Sequence, residues 1–190
     1  MRAIRCLTLL LALFTPVAFA EGLYQVEMIL LQQNDVTPAT SPRAPEDWRG
    51  AVPMLSEDAL RPTRLEEVVT RLRATPSYTV LMHKAWEQQV GNEPARVALT
   101  EGDEQFGHFP IEGSIGLMQD RFVAVEANFW INRLDANGSL LQSEQFKQEN
   151  RTVKHGQLTF LDGGHLALLL KVAPVGARKM PTLDPEMMGQ

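Results

Sequence analysis

Cysteine is almost absent: the 190-residue chain has one, Cys6, and it lies in the first ten positions. Beyond it, no disulfide framework, cysteine zinc site or cysteine nucleophile can be built. Aromatic residues are also sparse at 7%. An excess of positive charge is lacking too, since the formal net charge is −5. Nucleic acids and anionic membrane surfaces, which are held by Lys and Arg, are poor partners for such a chain. After the first twenty residues there is no apolar run long enough to cross a bilayer, which takes roughly 20 residues. The longest, His165 to Pro174, is strand-sized, so no stable membrane insertion is expected.

The first twenty residues have the three parts of a cleavable export signal. Arg2 and Arg5 give a positive start, Leu7 to Ala18 an apolar stretch, and Ala18-Phe19-Ala20 a small-x-small cleavage site. Cys6 precedes the apolar stretch, where lipidation at the cleavage point cannot use it. Cleavage after Ala20 would leave 170 residues without a thiol, and would take the charge from −5 to −7 by removing Arg2 and Arg5. The expected location is the periplasm. Residues 21–177 read as one domain and 178–190, with Pro181 and Pro185, as a disordered tail.

Within the domain, period-2 alternation dominates. Leu23 to Leu31 alternates at first and is then apolar on both faces, as in a strand entering the interior. Residues 32–53 hold Pro38, Pro42, Pro45 and Pro53 and read as a long loop pinned by Trp48. A helix is expected from Pro62, with Leu65, Val68, Val69 and Leu72 at helical spacing, ending before Pro76. Strands follow at Tyr78–Val90, Arg96–Thr100, Phe109–Met118, Arg121–Leu134, Leu140–Val153, Gln157–Leu161 and Leu166–Ala173. Asn137-Gly138 and Gly163-Gly164 mark hairpin turns. The order gives an α+β class: a mostly antiparallel, meandering β-sheet with one or two helices packed on one face.

Catalytic and cofactor motifs are missing. There is no Gly-x-Ser-x-Gly, no phosphate loop and no His-Glu-x-x-His. Gly113 and Gly116 read as glycines in a strand, at a bulge or a close backbone approach. Glu101, Asp103 and Glu104 read as a solvated loop. His83, His108, His155 and His165 show no metal-ligand spacing, so neither metal nor cofactor is expected. The segment His83-Lys84-Ala85-Trp86-Glu87-Gln88 is the best ligand-binding candidate. An indole face can hold a sugar ring while His83 and Gln88 bond its hydroxyls. The alternative is a Trp86 buried in the core, with ordinary polar neighbours. Arg151, Lys154 and His155 could meet acidic peptides, or form a solvated strand end.

Four segments carry a resemblance to a known family: Tyr24-Gln25-Val26-Glu27; Tyr78 through Gln88; Ile111-Glu112-Gly113; and Asn150 through Leu158. In their order and spacing the chain resembles the CsiV-type, cell shape integrity, peptidoglycan-binding proteins of Gram-negative bacteria. That family closes with Leu-His-Tyr and an Asp-His-Pro turn. Here Leu158-Thr159-Phe160-Leu161-Asp162-Gly163-Gly164 stands instead, keeping Asp162. The resemblance implies a periplasmic, non-enzymatic adaptor that binds peptidoglycan. It further implies support for a bifunctional wall synthase, a class A penicillin-binding protein, through its outer-membrane lipoprotein activator. The ligand-binding candidates are then His83, Trp86, Gln88, Arg151, Lys154 and Asp162. Two other readings stand beside it. One is a protein–protein module without glycan contact, offering the 32–53 loop or the 140–153 strand to a partner. The other is a wall hydrolase.

Overall fold

The computed structural model describes residues 21–119 and 121–176. The expected signal at 1–20 and tail at 178–190 lie outside the described residues. Within them are eight strands: β1 (Gly22–Gln33), β2 (Tyr78–Val90), β3 (Ala95–Glu101), β4 (Ile111–Gln119), β5 (Val123–Leu134), β6 (Leu140–Val153), β7 (Leu158–Asp162) and β8 (Leu166–Pro174). One α-helix, α1 (Glu66–Arg73), and a 3-10 turn (Glu57–Ala59) lie between β1 and β2. The α+β expectation therefore holds, with antiparallel strands dominating.

The strands divide into two four-stranded sheets, in the orders β2-β1-β8-β7 and β3-β4-β5-β6. The second is a simple meander. The reason for two sheets lies in the alternation itself. Val26, Met28 and Leu30 share one face of β1 with Leu168, Leu170 and Val172 of β8, at register Val26↔Val172 and Met28↔Leu170. Ile115, Leu117, Val125, Ala127 and Phe129 share one face of the meander. All of these belong to one buried cluster, so the two apolar faces close on each other. Full burial of each large side chain contributes roughly 1.5–3 kcal/mol. Gly113 is the close-approach glycine the sequence suggests: a Cβ there would lie 2.3 Å from the Asn128 carbonyl oxygen and 2.4 Å from the Phe129 ring.

The helix lies outside this core, against β2 on the outer face of the first sheet. It begins at Glu66 rather than at Pro62. The backbone N–H groups of Arg64 and Leu65 donate instead to Glu27 Oε1, at 2.7 and 2.8 Å. A strand carboxylate thus fixes the chain just before the first turn, and the helix forms from there.

The long proline-rich segment starts at residue 34, because Gln32 and Gln33 continue β1 and pair with Thr79 and Tyr78. It is a belt rather than a free loop. Ser41 Oγ accepts the Gln145 N–H at 3.0 Å, and Ala44 N–H donates to Ser143 Oγ at 2.8 Å, both on β6. Trp48 meets Phe109 edge to face, 6.4 Å between ring centres. Ala98 of β3 then bonds Pro53 O and Leu55 N, each at 2.8 Å, and Arg61 N–H donates to Ala85 O of β2 at 2.8 Å. Three sheet edges, those of β6, β3 and β2, are therefore covered by the chain itself, which blunts edge pairing.

Candidate functional site

The six expected ligand-binding residues do not come together. Trp86 is fully buried, on the inner face of β2, with its indole N–H donating to Gln88 Oε1 at 2.6 Å. Gln88 in turn donates to the Ala95 carbonyl at 3.1 Å. This corrects the expectation of a sugar platform: the ring faces are packed in the core and the polar atoms are spent on each other. His83 is an odd number of residues from Trp86, so it projects from the opposite face. There its Nε2 lies 2.9 Å from Glu27 Oε1, under the start of α1. Asp162 serves the β7–β8 turn, where Oδ1 accepts Gly164 N–H at 2.9 Å and Gln33 Nε2 at 3.0 Å. Arg151 and Lys154 are exposed at the far end of β6 and in the turn after it.

Two buried carboxylates belong to no catalytic or cofactor motif. Glu27 and Glu112 each sit in an apolar strand yet are buried. Burial of a carboxylate is costly unless its oxygens are satisfied. Glu112 Oε1 lies 2.7 Å from His108 Nδ1 and accepts Asn132 Nδ2 at 2.8 Å, while its Oε2 accepts Phe109 N–H at 2.9 Å. Asn132 Oδ1 accepts the Ser143 hydroxyl at 2.7 Å, which carries the network on to Ala44 of the belt. His165 Nδ1 pairs with Glu144 at 2.8 Å in the same manner. Three of the four histidines are thus bonded to glutamates rather than scattered over the surface. Among the described residues no group of three His, Cys, Asp or Glu gathers to hold a metal ion.

Glu27 also borders a cleft of about 660 Å³ on the outer face of the first sheet. Three strands make its floor. Glu87 on β2, Gln25 on β1 and Ala173 on β8 lie in one cross-strand row, and Glu27 pairs with Lys171 in the next. At about 4.8 Å per strand, that floor is about 10 Å across. Arg64, leading into α1, forms one wall; the His155-Gly156 turn forms the other, and Pro174 to Gly176 close the end. Gly156 N–H donates to Val172 O at 2.7 Å, which anchors that turn to β8. The His155 ring stands edge-on to Tyr24 at 5.5 Å.

The charges of the cleft are unevenly satisfied. Glu87 is paired with Arg61 at 2.8 Å. Lys171 and the Arg64 guanidinium make no ion pair among the described residues. The cleft therefore joins two unpaired cations to two carboxylates. Gln25 and Glu27, Glu87, and His155 with Gly156 come from three of the four segments that carry the family resemblance. The polar 140–153 strand, a possible partner edge on sequence grounds, is instead engaged by Ser41 and Ala44 of the same chain.

A family model described as "Peptidoglycan-binding protein, CsiV" matches residues 5–62 and 54–175. No curated protein and no solved structure matches the chain.

Proposed function

The chain belongs to the CsiV family of peptidoglycan-binding proteins, and from that premise we propose that it is a non-enzymatic wall-binding protein using the cleft on the outer face of the first sheet. One observation carries the assignment to that cleft: segments distant in sequence, around Gln25, Glu87 and His155, converge on it. Its floor is held by backbone hydrogen bonds across three paired strands. Such a floor with projecting charges holds a polymer by many weak contacts without needing a reacting group.

The proposal extends to location and role. The pattern at Arg2 to Ala20 supports export to the periplasm, with cleavage after Ala20. There the protein acts as an adaptor, supporting a bifunctional wall synthase, a class A penicillin-binding protein, through its outer-membrane lipoprotein activator.

The deciding experiment is co-sedimentation of the purified protein with insoluble sacculi at low salt. Retention in the pellet is expected, with no soluble wall fragments released. Protein left entirely in the supernatant would end the wall-binding reading, and released fragments would end the non-enzymatic one. For the adaptor role, crosslinking in cells followed by wall digestion is expected to leave the lipoprotein activator attached.

A further inference from the structure

Resting on the reading that the cleft binds the wall, we propose that it recognises the stem peptide of peptidoglycan rather than the glycan strand. Glycan recognition relies on flat aromatic faces against sugar rings. Among the described residues the cleft offers none: its one aromatic ring, His155, stands edge-on to Tyr24, while Trp86 lies on the inner face and is fully buried. What the cleft offers is charge of both signs at short range. Lys171 lies directly across from Glu27 on the neighbouring strand, yet the two do not form an ion pair. Arg64 rises beside them, also without an ion pair among the described residues.

A stem peptide carries complementary charge. Its γ-linked glutamate and its terminal or diamino-acid carboxylates supply anions for Lys171 and Arg64. The free amine of an uncrosslinked diamino acid supplies a cation for Glu87, which it would share with Arg61, beside the Glu27 carboxylate, whose Oε1 is already engaged. Guanidinium and ammonium are both suited to carboxylates, the first by paired donors and the second as a point charge. A volume of about 660 Å³ is in the range of sites that hold molecules of a few residues. The preference for uncrosslinked stems follows from the negative charge at Glu87, because crosslinking converts the amine into a neutral amide.

Three probes separate the possibilities: intact sacculi, a soluble stem tetrapeptide with a free diamino-acid amine, and glycan strands stripped of stems by an amidase. The tetrapeptide is expected to displace the purified protein from sacculi and to shift backbone amide signals around Lys171 and Gly156. Stripped glycan is expected to do neither. Lys171→Gln and Arg64→Gln are each expected to weaken tetrapeptide binding about tenfold, equal to ~1.4 kcal/mol, with Lys171→Arg retaining most of it. Arg64 is exposed, so its variant reports on binding even if the Lys171 variant unfolds. Displacement by stripped glycan, or no displacement by the tetrapeptide from sacculi that do retain the protein, overturns the stem-peptide assignment alone. Sacculi that retain no protein overturn the wall-binding reading and this assignment with it.

Discussion

The indole N–H of Trp86 and the side-chain oxygen of Gln88, 2.6 Å apart, form a closed pair inside the protein. Both residues lie on the inner face of β2, where a ligand has no access to the ring. The pair explains how a Trp can be fully buried at no polar cost. Of the two faces of this strand, the outer one is the face open to a ligand.

Trp86→Ala is therefore a stability variant. Its expected cost is about 3–5 kcal/mol, the range for removing a large buried aromatic, with Gln88 left short of a partner as well. Denaturant melts followed by fluorescence give the number. Retention on sacculi per folded molecule should be unchanged. A variant with the parent's midpoint and weakened retention would return Trp86 to the binding surface.

Strands were legible because burial on one face writes a period of two into the sequence, as in Val123, Val125, Ala127, Phe129 and Ile131. The Asn137-Gly138 turn was legible because Gly138 needs a positive φ, here 86°. The division into two sheets was not, since alternation says which side of a strand is apolar and not which apolar faces meet. The helix start was missed for a tertiary reason: Glu27, far back on β1, takes the N–H groups of Arg64 and Leu65. The site was half legible. Gln25, Glu27, Glu87 and His155 fall within segments that resemble the family, but Lys171 has no local signature, and only the β1–β8 pairing brings it beside Glu27.

Glu27 should matter to the helix more than any residue within it. Its Oε1 meets Arg64 N–H, Leu65 N–H and His83 Nε2, all within 2.9 Å. Glu27→Ala leaves two backbone donors and an imidazole without their acceptor, so a loss of about 2–4 kcal/mol is expected. Hydrogen exchange should show residues 66–73 losing protection ahead of β4 and β5. Equal protection in variant and parent would mean that packing of Val69, not Glu27, holds the helix.

Tyr24 gives a pH-dependent signature. Burial raises its phenol above the ordinary value of 10.0, because the charged phenolate is disfavoured in the interior. Once the pH passes the unfolded value near 10, the unfolded chain has lost this proton and the folded chain keeps it. Stability therefore falls as pH rises from there through the folded value. The chain has two tyrosines, so phenolate absorbance resolves the effect. Tyr24→Phe should remove an absorbance component that rises above pH 10; loss of a component centred at or below 10 instead would contradict the burial argument.

The belt is held to β6 through two hydroxyls: Ser41 Oγ accepts Gln145 N–H at 3.0 Å, and Ser143 Oγ reaches further inward. Ser143 Oγ accepts from Ala44 N–H and donates to Asn132 Oδ1, at 2.8 and 2.7 Å, and Asn132 continues to the buried Glu112. Ser143→Ala removes both bonds and leaves Ala44 N–H and Asn132 Oδ1 buried without them. The cost should be about 1–3 kcal/mol, the penalty for unsatisfied buried polar groups. It should appear locally, because the rest of the belt is pinned separately at Trp48 and at Ala98. Limited trypsin digestion is the measurement: cleavage after Arg43 should accelerate more than cleavage after Arg49, which lies next to the Trp48 anchor. Equal acceleration at both sites would show that the belt detaches as one unit, and that Ser143 rather than Trp48 controls it.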